Sequence, residues 1–545
     1  MSTPPTAKIP AKTPYLPPPQ LHGPWQSYAM WGRRWPVTGR PAGTTVVVAV
    51  PLAAVVAALA LPLDRAGVGW LLTALAGTAA VIAARAIPDR PSPDVPPPLV
   101  IRSTPGPGVD RFGWAAATVA LLGVGTFRSA DWLFLLCLAT ATLTGALALT
   151  GGHSMRSIAG GYTMPVIAAF RAVPWLSKGA TRARRAAAGS ARAARPGAAN
   201  LTATDRQGSA AGPNIRIVAT VAVSVALLVV FGALFVSADP AFAEALSKIV
   251  PDLNVATAVR WVFVFGLATM IVGGAAFLRV NPPDLSGLDA TEGRKVSRLE
   301  WAIPLGLLVV LFAGFVAVQL TVLFGGNRHV LGTDGLTYAE YARGGFWQLS
   351  FVTGLTLVVL GGAARWAPRT TAADRTLIRV ILGTLAGLTL VIVASALQRM
   401  YLYADTYGLT RMRLLVACCE AWFGLVLILV LVAGVRIRAA WLPRVAIAAG
   451  VAALLGLAAA NPDGLIASYN IRQDRTVDLR YLSDLSPDAV PALTELDRAQ
   501  RECVLGHLRL RLDRYPDDWR GWNLGRQRAR DTIGEYLTGP GWRCP

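Results

Sequence analysis

The sequence predicts an all-α protein: a polytopic bundle of about eleven transmembrane helices, N-terminus inside and C-terminus outside, with a small extracytoplasmic helical domain. Two observations carry this. The 545 residues are 54% hydrophobic and only 15% charged, where soluble chains carry about 25% charge. Apolar runs long enough to cross a bilayer as helices also recur along the chain. They are continuous rather than alternating, which argues against a β-barrel.

Residues 1–43 are Pro-rich, polar and basic without an apolar signal core, and read as a disordered cytoplasmic tail. Four spans follow within 44–150, at 44–63, 67–84, 112–127 and 132–150. The third is short, and spans three and four can also be read as a hairpin dipping into the membrane. A basic cytoplasmic or interfacial loop fills 151–214. Its first part, 155–176, holds apolar groups, a few Arg and Pro165, and reads as an amphipathic segment lying in the interface. Seven more spans occupy 215–460, at 215–237, 256–278, 301–324, 345–364, 376–400, 411–435 and 441–460.

Charge sets the orientation. With the N-terminus inside, the inner segments hold 30 of the 52 Lys and Arg but only 9 of the 31 Asp and Glu. The whole net charge of +21 then lies on one face. The basicity therefore points to anionic inner-leaflet lipid, chiefly at 178–196, and not to nucleic acid. The same loop is also read as purely topogenic. The expected location is the plasma membrane.

The tail, 461–545, is charged but nearly balanced. Ser486 as N-cap and Pro487 at N1 predict a helix with Leu493, Leu496, Cys503 and Leu508 inward. A second helix is expected after Asp517 with Trp519, Trp522, Ile533 and Leu537 inward. This outer domain is a candidate surface for a protein partner. Cys503 and Cys544 are the tail's two cysteines and, in an oxidising space, form a candidate disulfide.

No catalytic signature is present: no phosphate-binding lysine loop, no HExxH, no CxxC. The four His are scattered, so no metal, cofactor or catalytic residue is assigned. The first outer loop, LPLDRAG, lacks the paired acids common in polytopic sugar transferases. Two outer clusters remain. In 337-TYAEYARGGFWQL-349, Tyr338, Glu340, Tyr341 and Arg343 lead into a span, as interfacial anchors often do. In 398-QRMYLYADTYGLTRMRL-414, Arg399, Tyr401, Tyr403, Asp405, Tyr407, Arg411 and Arg413 form a helix–turn–helix corner, with a turn at Gly408 and Thr410 as cap. Three Arg there run against the orientation rule. Glu420 lies about three turns into the next span, where an ionisable group costs a few kcal/mol unless paired or wet. Two readings stay open: these groups lock neighbouring spans together, or they form an outward-open pocket for an anion or lipid headgroup. Proton coupling at Glu420 is a third.

These two blocks, followed by 461-NPDGLIASYNIRQ and 478-DLRYLSDLSPDAVPAL, resemble the ordered blocks of a bacterial membrane family catalogued as domain of unknown function 4173, with its sibling 4153. The resemblance covers roughly 110–515 and implies a multi-pass inner-membrane protein with no catalytic residues to carry over. The function expected is a non-enzymatic envelope, signalling or sensing component. The alternative is a transporter or lipid-handling carrier with its site near Glu420. A membrane-embedded transferase is disfavoured by the missing acid pairs.

Overall fold

The computed structural model describes residues 42–84, 108–193, 255–283 with 285, 296–324, 346–436, 439–473 and 477–537. Among these there are helices and no strands. Before the tail the described helices are α1 (Thr44–Ala60), α2 (Val68–Ala83), α3 (Gly108–Phe127), α4 (Asp131–Thr150), α5 (Met155–Ala193), α6 (Val255–Val280), α7 (Arg298–Phe324), α8 (Phe346–Trp366), α9 (Ala372–Tyr407), α10 (Arg411–Arg436) and α11 (Leu442–Ala459). Among the described residues, seven helices are long and apolar enough to cross a membrane: α4, α6, α7, α8, α9, α10 and α11. Helices α1 and α2 are apolar but shorter. The expected span 215–237 lies outside the described residues.

Two groups of helices are joined by α11. Helices α1 to α6 pack together, and α9 packs against α7, α8 and α10. Helix α11 touches α10 on one side and α3 and α4 on the other. The α7–α10 core is aliphatic and aromatic, with Trp301, Phe312, Leu385, Ile392 and Leu427 buried. Many apolar side chains point outward instead, including Leu307, Val310, Leu311, Phe351 and Val358. Outward apolar faces around a packed core are what lipid-facing helices require. Gly383 and Gly387, a weak GxxxG signal, face open space.

The two ends of the bundle are held by different bonds. At one end, Arg444 of α11 donates to the carbonyls of Gly151 (2.7 Å) and Gly152 (2.9 Å) and pairs with Asp110 at 3.0 Å. At the same end Arg298 pairs with Asp374, and Val296 N–H donates to the Trp366 carbonyl. Asp374 and Thr371 form a capping box that starts α9. At the opposite end lie the turns 61–67, 128–130 and 408–410, the C-terminus of α11 and the tail. Alternate turns thus fall on alternate ends, as a serpentine bundle demands.

The segment 155–176 is the first half of α5, which continues unbroken through Pro165 and Pro174. It packs chiefly against α6 and also against α4. Gly161 sits against Thr150 at the end of α4, Gly274 of α6 sits against Ala169, and Gly179 sits against Ala42 before α1. Its outward face carries Tyr162, Val166, Phe170 and Val173.

The tail departs from expectation in two places. Ser486 precedes only a short 3-10 turn, Pro487–Ala489, and helix α14 (Val490–Leu493), after α12 (Pro462–Ile471) and α13 (Leu479–Ser483). The chain then breaks, and Asp497 accepts from Gln500 N–H to cap a new helix, α15 (Arg498–Arg514). Leu493, Leu496, Cys503 and Leu508 are nevertheless all buried. The second helix starts later than expected, at Leu524: α16 (Leu524–Tyr536), capped by Asn523. Residues 515–523 stay non-helical, with a turn at 519–521, because the Arg520 and Trp522 carbonyls accept from the Gly69 and Val68 N–H groups at the start of α2, so Trp519 and Trp522 point outward rather than in. Ile533 and Leu537 are buried as expected.

Candidate functional site: a helix corner bonded to the tail

Helix α9 has 36 residues. At 1.5 Å per residue it is about 54 Å long, well beyond the roughly 30 Å hydrocarbon layer. Its last two turns, which carry Tyr401, Tyr403, Asp405 and Tyr407, therefore overhang the membrane when the rest spans it. Gly408 then turns the chain at φ 84°, a conformation that favours glycine. The Asn470 side chain accepts from Leu409 N–H (2.7 Å) and donates to the Leu409 carbonyl (2.9 Å), fixing the turn to the tail. Thr410 caps α10 by accepting from Arg413 N–H.

The three arginines of this corner go to three places. Arg411 forms a fork onto Asp463, with Nε to Oδ1 at 3.0 Å and a second bond to Oδ2 at 2.5 Å. It also donates to the Asp484 carbonyl, and its own N–H donates to the Tyr481 hydroxyl. Arg413 donates to the Gly408 carbonyl and stacks 4.1 Å over the Tyr403 ring, which itself meets Tyr407 edge-on. Arg399 donates to Gln319 of α7 at 3.1 Å, beside Ser395. Asp405 accepts from Gln473 at 3.5 Å, while Tyr401 is largely exposed. The cluster is therefore not one pocket but a set of ties between α9, α10, α7 and the tail.

Asp463 is the hub. It is fully buried and also accepts from Ser486 N–H at 2.8 Å and Trp132 Nε1 at 3.3 Å. Burial pushes its carboxyl up, but the Arg411 fork and Ser486 outweigh that and hold it below the usual carboxylate range. The sequence NPDG makes this possible. Asn461 adopts a left-handed backbone and caps α12, Pro462 takes N1, and Asp463 follows in the first turn.

A second hub joins the tail to the first turn. The Asp517 carboxylate meets Arg65 (3.1 Å), Arg526 (3.0 Å) and Arg530 (2.7 Å). Burial works against its charge, but the cations win and its pKa falls. Arg526 also donates to the Ala66 carbonyl at 2.8 Å. A third join uses the turn 128–130: Asn523 donates to the Gly125 and Arg128 carbonyls, and Ser129 N–H donates to Asp488 at 2.7 Å. Burial pushes the Asp488 carboxyl up, and its second oxygen, against Gly525, has no hydrogen-bond partner among the described residues.

Glu420 sits apart from all of this. It is fully buried in α10, and neither carboxylate oxygen has a hydrogen-bond partner among the described residues. Ser350 of α8 faces it, short of hydrogen-bond geometry. Tyr338, Glu340, Tyr341 and Arg343 lie outside the described residues. Cys503 is disulfide-bonded; Cys544 lies outside the described residues. Cys137, Cys418 and Cys419 are free thiols. No group of three or more His, Cys, Asp or Glu suited to a metal occurs among the described residues.

Sequence reasoning found the corner but missed Asp463, Asn470, Tyr481 and Ser486 as its partners, and it missed Asp517 and Arg526 altogether. The available signal was that NPDG and LSDLSPD were already grouped with the corner as blocks of one family. Those blocks meet in space. Residues 116–496 match the family described as Domain of unknown function (DUF4153). Among the curated proteins and among the solved structures, no match is found. The family matched is 4153, the one named above as the sibling of 4173. Since it spans well over half of the residues and takes in both the arginine corner and its Asp463 hub, the chain belongs to the DUF4153 family.

Proposed function

We propose that this chain is a non-enzymatic component of a bacterial plasma membrane, crossing it about eleven times with the N-terminus inside. Its outer platform receives a partner or ligand and passes the change to the basic inner face. The single observation that carries this reading is the Arg411–Asp463 fork, because it makes the tail and the overhanging corner one mechanical unit. With Asp517 and Asp488, the tail is bonded to the turns 61–67, 128–130 and 408–410. A displacement of the tail is then felt at the ends of α1 to α4 and α9 to α11 together. At the other end, α5 spans the bundle from Thr150 to Ala42 and leads into the basic run after Lys178, which suits contact with anionic lipid.

The carrier reading needs an outward-open path to Glu420. Its full burial and the use of Arg399, Arg411 and Arg413 inside the protein favour the platform reading. The test is chemical access. With Cys418 and Cys419 replaced by Ala, E420C should resist a membrane-impermeant maleimide in intact cells while an outer-surface cysteine reacts. Rapid labelling of E420C would favour the carrier and defeat the platform reading. Photo-crosslinking from exposed Trp519 in cells should trap one envelope partner, lost in Asp463→Asn.

A further inference from the structure

We propose that the cleft between the last turns of α3, the last turns of α11 and the start of α16 is a binding site for one anionic phospholipid. The cleft holds about 370 Å³, within the range of small-molecule sites. One half is apolar, formed by Ala120, Val124, Phe127 and Leu455. The other half is cationic, formed by Arg128 and Arg528, and no acid lines it. Arg128 spends Nε and Nη2 on the Ala458 and Ala459 carbonyls, at 2.6 and 2.9 Å, which fixes its guanidinium at the mouth. Arg528 is exposed and makes no hydrogen bond or ion pair among the described residues. A fixed cation and an exposed one over a greasy floor match a phosphate with an acyl chain attached.

The position of the cleft favours a lipid over a soluble anion. Its apolar half runs along the ends of two bundle helices, and its cationic half begins where the tail begins. That is the depth of a headgroup. Phe127, in the cleft wall, is exposed, and Trp519 and Trp522 are exposed on the tail segment bonded to the start of α2. Aromatics of this kind collect at the membrane–water boundary. The site rests on the reading that the tail end of the bundle is such a boundary. Topology labelling checks that reading separately.

The experiment is native mass spectrometry of the full-length protein released from micelles containing phosphatidylglycerol or phosphatidylcholine with identical chains. Wild type should retain phosphatidylglycerol at least about tenfold more strongly, because the choline cation of phosphatidylcholine offsets the phosphate charge that faces the two guanidinium groups. Arg528→Ala should lose that preference at unchanged thermal stability, Arg528→Lys should keep part of it, and Ala120→Phe should block the chain and lower retention of both lipids. Excess glycerol phosphate should displace little lipid. Complete displacement by it would mean a soluble-anion site and overturn the proposal. So would equal retention of the two lipids, or retention by Arg528→Ala at the wild-type level.

Discussion

Replacing Asp463 by Asn should loosen the tail from the bundle. The change keeps the side chain's shape but removes its charge and turns one oxygen into a donor. Each carboxylate oxygen now accepts from Arg411 and from one further N–H, of Trp132 or of Ser486. Either orientation of the amide therefore points a donor at donors. Breaking one partner of a buried ion pair costs about 3–5 kcal/mol. The Arg411 side chain is 32% exposed, so water recovers part of its charge, and a cost of about 2–3 kcal/mol remains. That raises the population of tail-open molecules about 30- to 150-fold. Proteolysis of the tail under native conditions reads this population when opening and closing are fast. Arg411→Gln should act alike, and the double variant should be no worse than the worse single one. A cleavage rate within about threefold of wild type, or full additivity of the pair, would refute the hub argument.

Three further outcomes follow from the same contacts. Asp463 and Asp517 are held below the ordinary carboxylate range, so their stabilisation is present above about pH 4 and lost as pH falls through their folded values. Asp488 is shifted up by burial, so its ionisation works against the fold as pH rises, the opposite sign to the other two. Tail protection measured by hydrogen exchange should stay level from neutral pH to about 5 and collapse below about 4, and a profile flat to pH 2 would contradict this. Gly69→Ala should cost about 2 kcal/mol or more, because a Cβ there would strike the Ala60 backbone carbonyl; unchanged thermal stability would count against the tight 61–67 turn. Cys503 should resist thiol labelling until reductant is added, and Cys544 is its proposed partner; free labelling of both without reductant would sink that pairing.

Much of the fold was legible because hydropathy acts over long windows. The apolar runs at 44–63, 132–150 and 411–435 each appear as a helix within a few residues of the expected ends. The corner at Gly408 was legible because glycine and threonine mark turns and caps locally. Its partners were not. Arg411 and Asp463 are 52 residues apart, and Asn523 and Gly125 are 398 apart. No local pattern encodes which acid a given arginine will meet. The Trp-rich stretch misled for the same reason: helical spacing suggested inward Trp519 and Trp522, but the backbone of 520–522 bonds Val68 and Gly69 instead. Glu420 was legible as costly, and its unpartnered burial beside Ser350 is a feature only packing reveals.

The most direct test of the account is its sidedness. Single cysteines are introduced at Asp64, Arg498, Lys178 and Arg375 in a chain lacking Cys137, Cys418 and Cys419. All four positions are exposed. An impermeant maleimide applied to intact cells should label D64C and R498C, and should reach K178C and R375C only after the membrane is opened. Labelling of D64C and R498C from different sides, or of K178C from outside, would contradict the single outer platform on which the functional reading stands.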